Sequence, residues 1–222
     1  HPALWRSWQD FGTGWSGDIG CHIFDAVWKG LGLRAPKTVL AEVESSWRDS
    51  TERRSDTWPQ GNHITCEFPG NEKTADDTLP IEWFDGEFYP PEDVRALYNA
   101  GDNYPEEAAM LIGTQGALLI PHIGTPVLLP QSKFKDRPYP QLEDRNHYHH
   151  FVDGCLGKAK NESHFQQTGP MTEAILLGTV AIRLPGIKLE WDAQNLSFTN
   201  YPQGDQFLRR TYRKGWEVNG FG

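Results

Sequence analysis

Between Gly12 and Gly32 the chain runs from a glycine-rich turn, Gly12-Thr-Gly14-Trp-Ser-Gly17, into an apolar segment. In it Ile19, Ile23, Ala26 and Val27 recur at helical spacing, and Phe24 and Trp28 widen the apolar face. The pattern predicts a helix over 18–30, closed by Gly30 and Gly32. It carries Asp18 and His22 four residues apart, so one helical turn puts both side chains on the same face. A carboxylate beside an imidazole can hold the ring in one tautomer and tune it for moving protons, which makes His22 and Asp18 the candidate catalytic pair. A plainer alternative stands beside it: Asp18 after Gly17 is a natural N-cap, and His22 an ordinary core histidine. Asp25, three residues past His22, extends the same polar face and is a candidate substrate contact.

The turn matches the G-x-G-x-x-G string of dinucleotide-binding folds letter for letter. That fingerprint works only between a buried strand and a helix whose N-terminus receives the pyrophosphate. Arg6, Ser7, Gln9 and Asp10 break any apolar run upstream, so no opening strand is expected and no cofactor-binding residue is assigned.

After the helix come short segments of period-two alternation at 38–44, 63–68 and 79–84, separated by polar stretches at 45–60 and 69–78 that read as long hairpin connections. Two apolar strands at 108–112 and 117–120 flank Gly113-Thr-Gln-Gly116, and a third is expected at 127–129. Helical spacing returns at 143–156, with Phe151, Val152 and Cys155 inward, and again after Pro170, expected in the first turn of a helix carrying Met171, Ala174, Ile175, Gly178, Ala181 and Ile182. Extended pieces at 187–191 and 196–198 close the series. A helix, a run of strands, then helices imply one α+β domain over 1–222: a largely antiparallel, open-faced sheet with helices packed on one face.

A net charge of -9 and a pI near 5.3 argue against nucleic acid as a partner, and no apolar run approaches the roughly 18 residues of a membrane span. A soluble protein is expected, cytoplasmic or periplasmic; the chain opens at His1-Pro2 without a methionine, as it would had a leader or a whole domain preceded it. Cys21, Cys66 and Cys155 are far apart and odd in number, which fits reduced thiols acting as small buried hydrophobes. The basic tail, Arg209, Arg210, Arg213 and Lys214, reads as a solvated face or a subunit contact.

Metal binding by Asp18, His22 and Asp25, or by His147, His149 and His150, lacks a complete ligand set, so no metal is assigned. Gly14-Trp-Ser16-Gly17-Asp18 misses the last glycine of a hydrolase elbow. Trp15 and Arg6 beside the glycine turn are candidate substrate contacts, through an indole face and a guanidinium, and His147 and His150 share a helix face at i, i+3 as two further candidates.

The strings Asp10-Phe-Gly-Thr-Gly14, Gly17-Asp-Ile-Gly-Cys-His-Ile-Phe-Asp25, Lys188-Leu-Glu-Trp-Asp192 and Leu208-Arg-Arg-Thr-Tyr-Arg-Lys-Gly-Trp216 occur together in that order. With them the chain, over nearly its whole length, resembles the C-terminal domain of Gfo/Idh/MocA oxidoreductases of the bacterial, sugar-dehydrogenase-like subgroup. The resemblance implies a two-domain enzyme in which an N-terminal Rossmann domain binds NAD or NADP and this α+β domain holds the substrate and forms the oligomer. It places Asp18 and His22 against the nicotinamide and a sugar or polyol. The lysine that the family takes from a Glu-Lys-Pro motif in the nucleotide domain has no counterpart here. A homodimer or homotetramer is expected through the sheet face, motivated by the apolar residues of 63–68 and 108–120. The same resemblance admits an NAD-dependent glycosidase, and the apolar sheet a non-catalytic oligomerisation scaffold. This fragment alone is expected to be inactive.

Overall fold

Helix α1 spans Gly14–Leu31 in the computed structural model, which describes residues 1–98 and 105–218. It starts upstream of where the apolar spacing places it, so Thr13 precedes the first turn and Asp18 lies inside the helix. The N-cap role for Asp18 is thereby removed. At the other end Gly32 takes φ 63° and ψ 44°, a left-handed conformation without penalty for glycine, and its N–H returns to the Lys29 and Trp28 carbonyls. The Lys73 ammonium and the Asn71 amide donate to the carbonyls of Gly30 and Leu31, both at 2.9 Å, and satisfy the last turn.

Strand β1 (Thr38–Val43) alternates, burying Val39, Ala41 and Val43. The stretch 45–60, expected as a polar connection, instead contains two short helices, α2 (Ser45–Arg48) and α3 (Thr51–Asp56). Elements of about one turn show no period, and these are set by tertiary burial and a cap. Trp47, 1% exposed, donates its indole N–H to the Thr57 carbonyl at 2.9 Å, and Ser50 Oγ accepts from the Arg53 N–H at 3.2 Å.

Strands β2 (Asn62–Pro69) and β3 (Thr78–Asp85) follow, in a register that lines up Val39 with Cys66 and Ile81, Ala41 with Ile64 and Trp83, and Val43 with Asn62 and Asp85. Beyond α4 (Glu92–Arg95), a second antiparallel sheet forms from β4 (Ala108–Gly113), β5 (Gly116–Pro121) and β6 (Val127–Leu129), in the order β4-β5-β6. Three helices come next, α5 (Gln131–Phe134), α6 (His147–Cys155) and α7 (Phe165–Arg183). Then β7 (Leu189–Asp192) and β8 (Ser197–Phe198) return to the first sheet, giving the order β3-β2-β1-β7-β8. The class is α+β with antiparallel sheets, as the sequence predicts, but the strands divide into two sheets. Pro170, expected in a first turn, lies inside α7 because that helix starts at Phe165; the cost is one missing ladder N–H.

The inner face of the first sheet packs on α7, where Val39, Ala41, Val43 and Ile64 meet Leu177, Val180 and Ala181. A second cluster joins sheet and helices through Phe68, Val27, Trp28, Met171 and Ala174, and the second sheet reaches it with Ala109, Leu111 and Ile120. Phe68, 1% exposed, stands edge-on to Trp28 at 6.3 Å. Ile64 and Phe68, part of the motive for a sheet interface, are therefore core residues, and the outward rows mix Glu42, His63, Thr65, Glu67 and Glu82 with Leu40 and Phe84. There His63 Nε2 meets Glu82 at 2.9 Å and Lys188 meets Glu67 at 2.7 Å.

Helix α6 is present but buries nothing: Phe151 and Val152, expected inward, are 57% and 52% exposed. Its apolar spacing marks a stripe that no described element covers. All three cysteines are free, yet only Cys66 is interior; Cys21 and Cys155 are exposed. Burial pushes the Cys66 thiol up to about 12, which leaves it protonated and unreactive.

Candidate functional site

A short 3-10 segment, Pro2–Ser7, folds back over the start of α1. It brings Arg6 to Asp18, with Nε 2.5 Å from the carboxylate, and holds the guanidinium over the Trp15 ring at 5.1 Å and the Trp5 ring at 5.3 Å. Trp58 completes the wall: its backbone N–H donates to the Ser7 carbonyl at 2.8 Å and its indole N–H to the Gly12 carbonyl at 2.7 Å. Between these residues lies an open cleft of about 300 Å³, lined among others by Arg6, Trp15, Trp58, Gln60, Asp85 and Gly86. Two indoles, a guanidinium and a carboxyl around a shallow hollow suit a ligand with flat C–H faces and many hydroxyls.

The same geometry removes the dinucleotide fingerprint. The segment before the glycines is a 3-10 turn rather than the strand the fingerprint needs, and Gly14 packs on Trp58, whose Cβ and Cγ would each lie 3.4 Å from an added Cβ.

Asp85 ends the inward row of β3 beside Asn62. Its carboxylate accepts from the Asn62 backbone N–H at 2.7 Å, the Asn62 amide at 2.9 Å and the Trp83 indole N–H at 2.6 Å. Burial raises its pKa above the ordinary carboxylate value, the Trp83 and Asn62 hydrogen bonds pull the other way, and the nearby Glu44 charge adds to the rise. Gly86 follows with φ 64°, and a Cβ there would lie 2.2 Å from the Gln60 carbonyl oxygen, so this edge of the cleft depends on glycine.

The expected Asp18–His22 pair is on one side of α1 as the spacing requires, but the two side chains have different partners. Asp18 is engaged by Arg6. His22 is exposed, and its ring centroid lies 5.1 Å from that of His122, with the planes tilted by 31°. Trp15 and Arg6 line the cleft as anticipated, whereas Asp18 stands behind Arg6. Asp25 pairs with Lys29 at 3.0 Å, an exposed i, i+4 contact outside the cleft lining. His147 and His150 belong to the exposed α6, where His147 packs on Tyr148 and His150 meets Arg145. The Arg145–Glu162 pair feels the charge of Lys29, about 21 Å along α1 from Trp15 at 1.5 Å per residue, so those histidines are not brought to the cleft.

Ser16 is buried with its hydroxyl unpartnered, which suits neither a nucleophile nor an exposed elbow. No group of three His, Cys, Asp or Glu among the described residues could hold a metal ion. Sequence reasoning missed Trp58, Asp85, His122 and Glu107. The last two could have been found: a hairpin turning at Gly113-Thr-Gln-Gly116 sets Ala108 against Pro121, and the next pair outward is Glu107 and His122.

No protein-family model matches the chain, and no curated protein matches it significantly.

Proposed function

We propose that this chain is the substrate-binding half of an NAD(P)-dependent oxidoreductase acting on a sugar, a polyol or a derivative, as the Gfo/Idh/MocA resemblance implies. The observation that carries the reading is the junction of an aromatic, hydroxyl-compatible cleft with the accessible flank of α1, where Trp15 and Arg6 line the hollow and Arg6 anchors Asp18. Trp15, 38% exposed, would stack on a C–H face of a sugar ring, while Trp58, 7% exposed, would form the buried floor beneath it. Arg6, its charge balanced by Asp18, would donate to hydroxyls. His22, one turn beyond Asp18 and outside the lining of the cleft, would act as the general base on a ligand that extends from the cleft along α1.

The chain's own glycine turn does not fit a dinucleotide, so the reading assigns it binding, orientation and proton handling only. Calorimetric titration of this chain with NAD(H) and NADP(H) is expected to show negligible affinity; micromolar binding would overturn that division of labour. In the intact enzyme, a sugar or polyol should drive NAD(P) reduction while aryl glycosides stay intact, and cleavage of the glycosides would replace dehydrogenation with glycosidase chemistry. A homodimer or homotetramer through the outward face of the sheet belongs to the same reading, with its Glu42–His63–Glu82 and Glu67–Lys188 contacts as the surface to be matched.

A further inference from the structure

Glu107 and His122 face each other one step beyond the end of the β4–β5 ladder. The His122 backbone N–H donates to the Glu107 carbonyl at 2.9 Å, and the two side chains are joined as well, with the His122 Nδ1 hydrogen-bonded to Glu107 Oε2. An ionised carboxylate can only accept, so Nδ1 must carry the proton of that bond. The His122 main chain is thus held by the ladder and its ring by the one side-chain bond to Glu107. His22 lies against it, and among the described residues the His22 ring makes no hydrogen bond of its own. The two rings sit at the seam where α1 meets the second sheet, near the packing of Phe24 with Ala109, Leu111 and Ile120.

From this we infer that His122 is a positioning residue for His22, and that the carboxylate orienting the reactive imidazole is Glu107, acting through His122, rather than Asp18. Asp18 is committed to Arg6 and the cleft wall. Glu107 holds the His122 plane, and that plane limits the rotamers open to His22 on an otherwise unconstrained helix surface. Orientation of this kind matters because a displacement of about 1 Å at a proton-transferring group can lower the rate about 10²-fold. The inference deepens the proposed oxidoreductase reading and rests on it for its catalytic meaning, but its geometric content stands alone.

The test is long-range ¹H–¹⁵N NMR of the imidazoles in this chain. His122 is expected as the Nδ1–H tautomer with nuclear Overhauser contacts to the His22 ring. Glu107→Ala should release that tautomer and shift the His22 ring resonances, whereas Glu107→Gln, which keeps an acceptor, should restore most of both. Glu107 is part-exposed and its side chain packs in none of the hydrophobic clusters, so both variants are expected to fold. An Nδ1-unprotonated His122 in the wild type, or His22 resonances indifferent to Glu107→Ala, would overturn the inference. In the intact enzyme, His122→Ala should lower kcat about 10²-fold with KM little changed. If the NMR result holds while His22→Ala leaves turnover intact, the positioning geometry survives and the catalytic reading of α1 fails.

Discussion

On the proposed oxidoreductase reading, replacing His22 by alanine is expected to lower kcat of the NAD(P)-linked reaction by about 10²- to 10⁴-fold, the range that a positioned general base contributes. KM for the sugar should change little, because the groups that line the cleft are Arg6, Trp15 and Trp58 and not His22. Stability should also be nearly unchanged. His22 is exposed and its side chain makes no hydrogen bond among the described residues, so truncation opens no cavity and strands no donor. Steady-state kinetics with a matching urea denaturation curve separates the two effects. Unchanged turnover would remove His22 from the chemistry and favour the scaffold reading.

Asp85→Ala is expected to destabilise the fold by about 3 kcal/mol, because it strands the Asn62 backbone N–H, the Asn62 amide and the Trp83 indole N–H beside a strand end where Asn62 is 1% exposed. The loss should depend on pH, with a sign opposite to that of a salt-bridged aspartate. Burial raises the folded-state pKa of Asp85, so the folded chain holds that proton more tightly than the unfolded one. Its contribution is complete below the unfolded carboxylate value and declines as pH rises through the folded one. The gap between wild type and Asp85→Ala should therefore be widest in acid and narrow toward neutrality, as denaturation midpoints measured across that range would show. A gap that widened with rising pH would mean that the hydrogen bonds outweigh burial and hold the carboxylate charged.

Much of the fold was legible because it is written in local periods. Ile19, Ile23 and Val27 mark α1, and Val39, Ala41 and Val43 mark the inward face of β1, by spacing alone. Where the reading fell short, the deciding contact is distant in sequence or the element too short for a period. The starts of α1 and α7 move upstream of their apolar stripes. Helices α2 and α3 follow from burial of Trp47 and from the Ser50 cap. The stripe of Phe151 and Val152 on α6 obeys the helical period, but periodicity does not say whether anything covers the stripe.

The site divides in the same way. That Asp18 and His22 share a side of α1 follows from a spacing of four. Their partners do not: Arg6 arrives by a 3-10 segment and His122 from the end of β5, and neither approach leaves a mark on the helix's own sequence. Asp85 and Trp58 reach the cleft through the pairing of β2 with β3 and the bonds of Trp58 to Ser7 and Gly12, contacts that a pass along the chain does not reveal.

The most direct test of the central claim is an NMR titration of this chain with neutral monosaccharides and polyols, followed at the Trp15 and Trp58 indole N–H signals, the Arg6 Nε–H and the His22 ring. Saturable shifts confined to those groups, weakened by Arg6→Ala, are the result the proposed cleft requires. Shifts that map to another surface, or a panel that leaves all four groups unmoved, would contradict it.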